Sequence, residues 1–473
     1  MLVPADASTP GRLPSEPVFG PAVPVNRVPL TNYALPDATC AERQDLSDAS
    51  DVSADLTAWC DHSGGQAKHR QAARLALSRL EERYRDGGLP FLTALDTGPP
   101  SRAYLDVARR FARDAELVVL VGCGGSMHAG KAFALATGGD SSIRPSIAFA
   151  GSINPDECAN LREKLNRFGQ ERVCCVFISK SGCTTETLAH FAILLDWYGE
   201  ALASEAISQR TVCLTQARSS PLRTLAEVRG VPVLDVPADV GGRFAAFTIT
   251  GLLPAAIGQD GSESGKADVL AGGRAVLARA FPREGLSSAA RSAAAMAAFH
   301  ERHGTASLVT LAYESAMEPL QSWYRQLVAE SLGKDNQGFT PVTAYGTDDE
   351  HSQLQLWLDG PPGQMFTLLR APAALDIRIP AEPVGYPGWF PHRLESLWNA
   401  HADATAASLS ASGRPVRTFT FAHRSQVAYG ALMAHLMIET VLLADILGID
   451  PFGQPAVEGT KERVIDILTQ VQH

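Results

Sequence analysis

The run Val118–Val121 leads directly into Gly122-Cys123-Gly124-Gly125-Ser126, an apolar strand pattern ending in a glycine-rich turn that opens a helix. Glycines let backbone N–H groups approach an anion closely, and the following helix N-terminus adds positive potential. Ser126 adds a hydroxyl. The same run also fits a tight strand–helix turn with no ligand. It lacks the later glycine of a dinucleotide fingerprint, and no G-K-[ST] follows to make a P-loop. A second apolar run, Val173–Ile178, is followed by Ser179-Lys180-Ser181-Gly182-Cys183-Thr184-Thr185-Glu186-Thr187. Its hydroxyls and single lysine suit a phosphate monoester; the competing reading is a helix N-cap cluster. In open α/β sheets ligands bind beyond the carboxyl ends of strands, so hydroxyl density at a second strand end favours anion binding.

Four further residues could act on a bound anion. Arg243 follows two glycines at the mouth of the charge-free stretch 244–258, as a ligand contact or as a capped structural cation. Glu330 lies in the helical pattern 313–334, about 50° from the stripe Ala316, Leu320, Trp323 and Leu327. That places a carboxylate on a buried flank near a helix end, the setting of a general base. The bland alternative is an i, i+4 pair with Lys334. His351, behind Asp348-Asp349-Glu350, falls in the first turns of a helix, where a lone histidine is also compatible with a structural role. Lys461 follows a helix start at Pro455 and is one more exposed lysine unless that helix docks onto a cleft.

The elements that must position these residues follow one pattern. Short β-branched runs at 117–121, 146–150, 173–178, 212–215 and 233–236 alternate with stretches long enough for crossover helices. That alternation predicts a doubly wound parallel α/β sheet covered on both faces. After an alanine-rich helical stretch at about 265–303, runs at 307–311, 341–345, 365–369 and 416–421 begin a second such lobe. The boundaries expected are a Pro-rich arm at 1–45, a first lobe at 46–283, and a second lobe at 284–473 ending in a helical segment turned at 448–455. No internal repeat is visible in the residues themselves.

Composition limits the function. The 473 residues carry a formal net charge of −10, which gives no global pull toward nucleic acid or an anionic membrane. No apolar stretch is expected to reach membrane-spanning length; the best candidate, 244–258, is short and contains Pro254. The N-terminus has no basic start followed by an apolar run, so no secretory signal is expected. The eight cysteines form no C-x-x-C pair, which favours free thiols in a reducing cytoplasm. Cys174 and Cys175, adjacent on a strand, should face opposite sides. The histidines show no metal-ligand spacing.

Taken together and in this order, GCGGS at 122–126, SKSGCTTET at 179–187, GGRFAAFTITGLLPAA at 241–256, AESLGK at 329–334, HSQLQL at 351–356 and QPAVEGTK at 454–461 resemble the phosphoglucose isomerase family. The resemblance runs from about residue 115 to 465. It implies two sugar-isomerase (SIS) lobes and interconversion of glucose 6-phosphate and fructose 6-phosphate, with no metal and no cofactor. By position it assigns phosphate binding to Gly125, Ser126, Ser179, Lys180, Ser181 and Thr184, and a substrate contact to Gln454. Glu330 becomes the base that moves a proton between C1 and C2, and Arg243 stabilises the enediolate. His351 and Lys461 assist ring opening, with the histidine supplied across a homodimer. The sequence departs from the family at Cys123, Cys183, Ala456 and in Met127-His128-Ala129-Gly130. The altered anion loop admits a related anionic sugar as substrate, and a non-catalytic sugar-phosphate sensor is the other class considered. The presence of Glu330, Arg243, His351 and Lys461 opposes the sensor.

Overall fold

The computed structural model describes residues 43–45, 52–99, 101–136, 145–259, 263–304, 306–373, 375–380, 390 and 392–471. Residues 1–42 of the expected Pro-rich arm lie outside the described residues. The first described strands, β1 (Arg43–Asp45) and β2 (Val52–Asp55), form an antiparallel pair. Five parallel strands follow: β3 (Leu117–Gly122), β4 (Ser146–Ala150), β5 (Val173–Ile178), β6 (Thr211–Thr215) and β7 (Val233–Asp235), in the order β4-β3-β5-β6-β7. The second sheet adds β8 (Ala306–Ala312), β9 (Phe339–Tyr345), β10 (Gln364–Arg370) and β11 (Val416–Phe421), in the order β1-β2-β11-β10-β8-β9. Every strand run read from the sequence is a strand, and the doubly wound α/β class holds.

Burial on both faces explains why β3 and β5 are apolar along their whole length. Alternate residues enter different cores. Val118, Leu120, Cys174 and Val176 join the large cluster, whereas Val119, Val121, Cys175 and Phe177 pack with Phe191 and Leu194. The adjacent cysteines therefore point to opposite faces, as the strand period requires. Cys123, Cys158, Cys174, Cys175, Cys183 and Cys213 are free thiols.

Within each sheet the parallel strands follow the same order, second-first-third-fourth. The repeat invisible in the residues exists in the topology. Strand β2 pairs antiparallel with β11, so residues expected in the first lobe complete the second sheet. Likewise Arg43–Asp45, expected in the arm, is an edge strand of that sheet. The lobe boundaries read from the sequence therefore do not follow the sheets at the N-terminal end.

Three helical expectations change. The stretch 265–303 is two helices, Glu263–Ala280 and Ser288–His303, because Pro282 lacks an N–H and Ser287 caps the second by accepting from Ala290 N at 3.4 Å. The stretch 244–258 is a 3-10 turn, Gly242–Phe247, then the helix Ile249–Ile257, separated by Thr248, whose hydroxyl caps the helix. The expected helix 313–334 starts only at Glu318, with Pro319 in its first turn, and ends at Leu332.

The helix Gln426–Leu447 is long and apolar enough to cross a membrane by length and composition, contrary to the sequence expectation, but most of it is buried inside the fold. It crosses the helix Glu263–Ala280 at glycine contacts: a Cβ on Gly272 would lie 1.9 Å from the Val427 carbonyl oxygen. Its one buried carboxylate, Glu439, forms an ion pair with Arg417 of β11, and the two are 1% and 0% exposed. Arg417 also donates to Thr367 Oγ1 at 2.8 Å, Ser292 Oγ at 2.7 Å and the Tyr324 hydroxyl at 2.9 Å, and lies over the Trp59 ring at 4.3 Å. Tyr324 belongs to the Glu330 helix, so this network ties that helix to β11 and to the central helix.

Burial alone would push the Glu439 carboxyl up; Arg417 and His435 outweigh it and hold it down at about 2. Breaking such a pair from one side leaves a buried charge uncompensated, which costs ~3–5 kcal/mol. Glu439→Gln should therefore destabilise the protein by about that amount at neutral pH, measured by urea unfolding. A carboxyl held low contributes stability above its ordinary value of 4.5 and loses it as pH falls toward 2. The gap between wild type and variant should shrink over that window.

Candidate active site

The two loops expected to bind an anion leave the carboxyl ends of adjacent strands, β3 and β5, at the point where strand order reverses. After β3, Gly124 takes φ +55° and the helix Gly125–Leu135 begins. A Cβ on Gly125 would lie 2.5 Å from Arg243 N, so only glycine lets this turn abut the Gly242–Arg243 backbone. After β5, Ser179 Oγ accepts from Gly182 N at 3.1 Å and lies 2.8 Å from Thr184 Oγ1. Ser181 Oγ accepts from Cys183 N at 3.2 Å. These hydroxyls shape the loop, and Cys183 points its exposed thiol at the Ser181 carbonyl, 3.5 Å away. The Cys123 thiol donates to Gly151 O at 3.1 Å, and burial pushes it up to about 11, an inert group joining two strand ends.

Arg243 organises what lies beyond the loops. Its side chain is 3% exposed, and each of its N–H donors is committed. Nε donates to Ser331 Oγ at 2.8 Å; Nη1 donates to Glu330 Oε2 and Gln454 Oε1, both at 3.0 Å. Nη2 donates to the carbonyls of Pro451 at 2.6 Å and Gly453 at 2.9 Å. Lys334, from the turn after the Glu330 helix, donates to the alternating carbonyls of Asp450 at 2.5 Å and Phe452 at 2.8 Å. Two cations thus hold four consecutive carbonyls of the 450–453 segment and present Gln454. Lys334 serves this segment, and the alternative i, i+4 pair with Glu330 is not formed. Burial lowers the Arg243 pKa while Glu330 opposes that shift, and an arginine so paired stays charged.

Glu330 is held from two sides. Its Oε2 faces Arg243, and its Oε1 accepts from Gln326 Nε2 at 2.8 Å. Gln326 is a site residue that the motifs do not reveal. Its signal is spacing: it lies four residues before Glu330, on the same face of the helix.

Lys180, Arg243 and Gln454 line a single cleft of about 530 Å³, together with Gly241, Gly242 and Glu458. Burial lowers the Lys180 pKa, with Asp239 opposing and Arg218 reinforcing the shift. A half-buried ammonium of this kind is suited to an anionic ligand. Of the expected site residues, Lys180, Arg243 and Gln454 are on this lining; Glu330 is bonded to Arg243 without lining the cleft, and Gly125, Ser126, Ser179, Ser181 and Thr184 are not on it. Two more lie on exposed helix faces. His351 is exposed on the helix Asp348–Asp359 and is not part of the cleft wall. Lys461 is exposed on the helix Pro455–Val471, where it pairs with Glu458 at 2.7 Å.

The corresponding crevice of the second sheet, between β8 and β10, is filled by the protein's own side chains. Tyr313 donates to Glu350 at 2.5 Å, His401 Nδ1 lies 2.8 Å from Glu350, and Arg370 binds Asp403 and Asn399. The open cleft in the first lobe lies beyond β5 and β7, with Lys180 and Arg243 on its wall.

Two doubly wound sheets, with a buried arginine on a cleft wall and a carboxylate bonded to it, agree with the class that comparison with known proteins gives, the sugar-phosphate isomerases. A family model described as phosphoglucose isomerase matches residues 110–353. A probable glucose-6-phosphate isomerase of Natronomonas pharaonis is 35% identical over 360 residues, covering 75% of this chain and 79% of that protein. A glucose-6-phosphate isomerase of Thermus thermophilus is 34% identical over 350 residues, covering 72% and 81%. Among solved structures, a hypothetical protein from Thermus thermophilus superposes with a TM-score of 0.66 at 28% identity, covering 85% of this chain and 99% of that one. A glucose-6-phosphate isomerase from Chlamydia trachomatis shares the fold, with a TM-score of 0.65 at 21% identity over 78% of this chain and 72% of that one. The chain belongs to the phosphoglucose isomerase family.

The lowered Lys180 pKa gives a testable pH dependence. A lysine is charged below its pKa and neutral above it, so KM for a sugar phosphate should rise at alkaline pH earlier than an ordinary lysine would allow. In Lys180→Arg, whose guanidinium does not titrate there, the pH profile of KM should lose that alkaline limb.

Proposed function

We infer that the protein is an aldose–ketose isomerase that interconverts glucose 6-phosphate and fructose 6-phosphate through an enediolate. The observation that carries the reading is the Arg243–Glu330 pair, whose arginine lines the same cleft as Lys180. In this reading the phosphate docks on residues 179–184 with Lys180, alongside Gly125 and Ser126, remote from the reacting carbons. That anchor orients the open-chain sugar so that C1 and C2 meet Glu330. The Glu330 carboxylate takes the C2 proton, the C–H electron pair forms the C1–C2 double bond and the carbonyl pair moves onto O1; the O2 hydroxyl proton then passes to O1, and the same carboxyl returns its proton to C1 as a carbonyl forms at C2.

Charge explains why the base and the cation are paired beforehand. In the resting site Arg243 balances the Glu330 carboxylate. When Glu330 takes a proton, the negative charge passes to the substrate oxygen, and Arg243 faces a new anion in place of the old one. The cation is pre-positioned, and little reorganisation accompanies the transfer. Because every Arg243 donor is already committed, Nη1 must exchange a bond to Glu330 or Gln454 for one to the substrate.

Ring opening needs a donor and acceptor near O5 and O1, the roles assigned to His351 and Lys461. Val457, Lys461, Val464 and Leu468 recur on one face of the helix Pro455–Val471, whose apolar residues are solvent-exposed, Leu468 by 52%. Docking that face would carry Lys461 with it. His351 is exposed in one chain, which supports its delivery to the cleft of a second subunit in a homodimer. The free thiols fit a reducing cytoplasm.

The test is a coupled assay on two variants. Glu330→Gln and His351→Ala should each lose activity, Glu330→Gln by about a thousandfold or more. Mixed and allowed to exchange subunits, they should regain part of it, because one site of a hybrid dimer is complete. Full activity in Glu330→Gln contradicts the mechanism; no recovery despite proven exchange contradicts the shared site.

A further inference from the structure

The helix that carries His351 has an inward stripe with an unusual first member. Leu354, Trp357 and Leu358 of the helix Asp348–Asp359 pack on the core of the second sheet. One turn earlier the same stripe reaches position 350, and the residue there is a carboxylate, Glu350, with a side chain 7% exposed. Burying a carboxylate is costly unless its oxygens are met. Both are met here. Oε1 accepts from the Tyr313 hydroxyl at 2.5 Å, and Oε2 accepts from His401 Nδ1 at 2.8 Å, because a carboxylate only accepts. Burial and the Glu350 carboxylate push the Tyr313 pKa up, so its hydroxyl stays a donor.

The two donors are themselves fixed. Tyr313 directly follows β8, and its ring fills the space beside Gly346, where a Cβ would lie 2.4 Å from Tyr313 Cε1. His401 lies on the helix Leu394–Ala411, whose Asn399 and Asp403 both accept from Arg370 at the end of β10. Glu350 thus ties the first turn of its helix to the ends of two paired strands. Asp349 binds Tyr345 N at 2.7 Å and the Gln353 amide at 2.8 Å, contacts within four residues that shape the turn locally. His351 projects about 100° round the helix from Glu350 and is exposed. An apolar residue at 350 would fill the same space without setting a direction, whereas hydrogen bonds on both oxygens are directional.

We propose that Glu350 is the positioning residue for His351: gripped by Tyr313 and His401, it sets the direction in which the imidazole leaves the helix. The inference rests on the reading that His351 assists ring opening. Misdirecting the imidazole leaves the Lys180 loop and the Arg243–Glu330 pair as they are, so the loss falls on kcat and not on sugar-phosphate affinity.

The test is a double-mutant cycle in the coupled assay, with kcat and KM measured for wild type, Glu350→Ala, His351→Ala and the double variant. Glu350→Ala should lower kcat about ten- to a hundredfold, the scale of a small misplacement, with KM nearly unchanged. In the His351→Ala background the same change should cost nothing further, because no imidazole remains to be positioned. Glu350→Gln, whose amide oxygen still accepts from Tyr313, should recover part of the rate. Should Glu350→Ala fail to fold, Tyr313→Phe, which removes one of the two bonds and keeps the ring, replaces it in the cycle; its smaller loss should likewise vanish without His351. Equal losses with and without His351, or wild-type kcat in the folded variant, overturn the proposal. Full activity of His351→Ala would instead overturn the reading of His351 in ring opening, and the role of Glu350 with it.

Discussion

The site depends on one buried arginine with every donor spent. Arg243 joins the loop after β7, the Glu330 helix and the 450–454 segment, which are distant in sequence and meet only in the folded chain. Burying a guanidinium is costly unless its hydrogen bonds and charge are met. Here a carboxylate, a side-chain amide, a hydroxyl and two carbonyls meet them. The same bonds that stabilise the cation fix the base, the amide of Gln454 and the edge of the cleft.

A second buried cation does the corresponding work one layer below. Arg417 binds Glu439 and the Tyr324 hydroxyl, and Tyr324 lies on the helix that carries Gln326 and Glu330. The Glu330 carboxylate is thus held by Arg243, and its helix is held by Arg417 through Tyr324. A site that transfers a proton between adjacent carbons needs this kind of fixed geometry, since small misplacements are costly in rate.

The strands are legible in the sequence because both sheet faces are buried, which writes each parallel strand as a short apolar run. The anion loops are legible because glycine and hydroxyl residues cluster at strand ends. Helix boundaries are less so: Pro282 splits a continuous alanine-rich pattern, and Thr248 separates two helical turns of similar composition. The pairing of β2 with β11 spans most of the chain, and nothing local to residues 52–55 announces its partner. Helical spacing places Glu330 on a buried flank, whereas its contacts with Arg243 and Gln326 are tertiary facts. His351 and Lys461 are recognisable by motif, yet the single chain leaves both exposed. Motif fixes residue type; position relative to a cleft also depends on what covers the exposed helices.

The central claim is that Arg243 both positions Glu330 and meets the charge that leaves it. The most direct measurement is kcat of Arg243→Lys in the coupled assay, with phosphate-loop binding followed separately. A lysine keeps the charge but has three donors on a flexible stem and cannot reproduce the five bonds. The account predicts that kcat falls at least about a hundredfold while sugar-phosphate binding at the Lys180 loop is largely retained. A kcat close to wild type would contradict it.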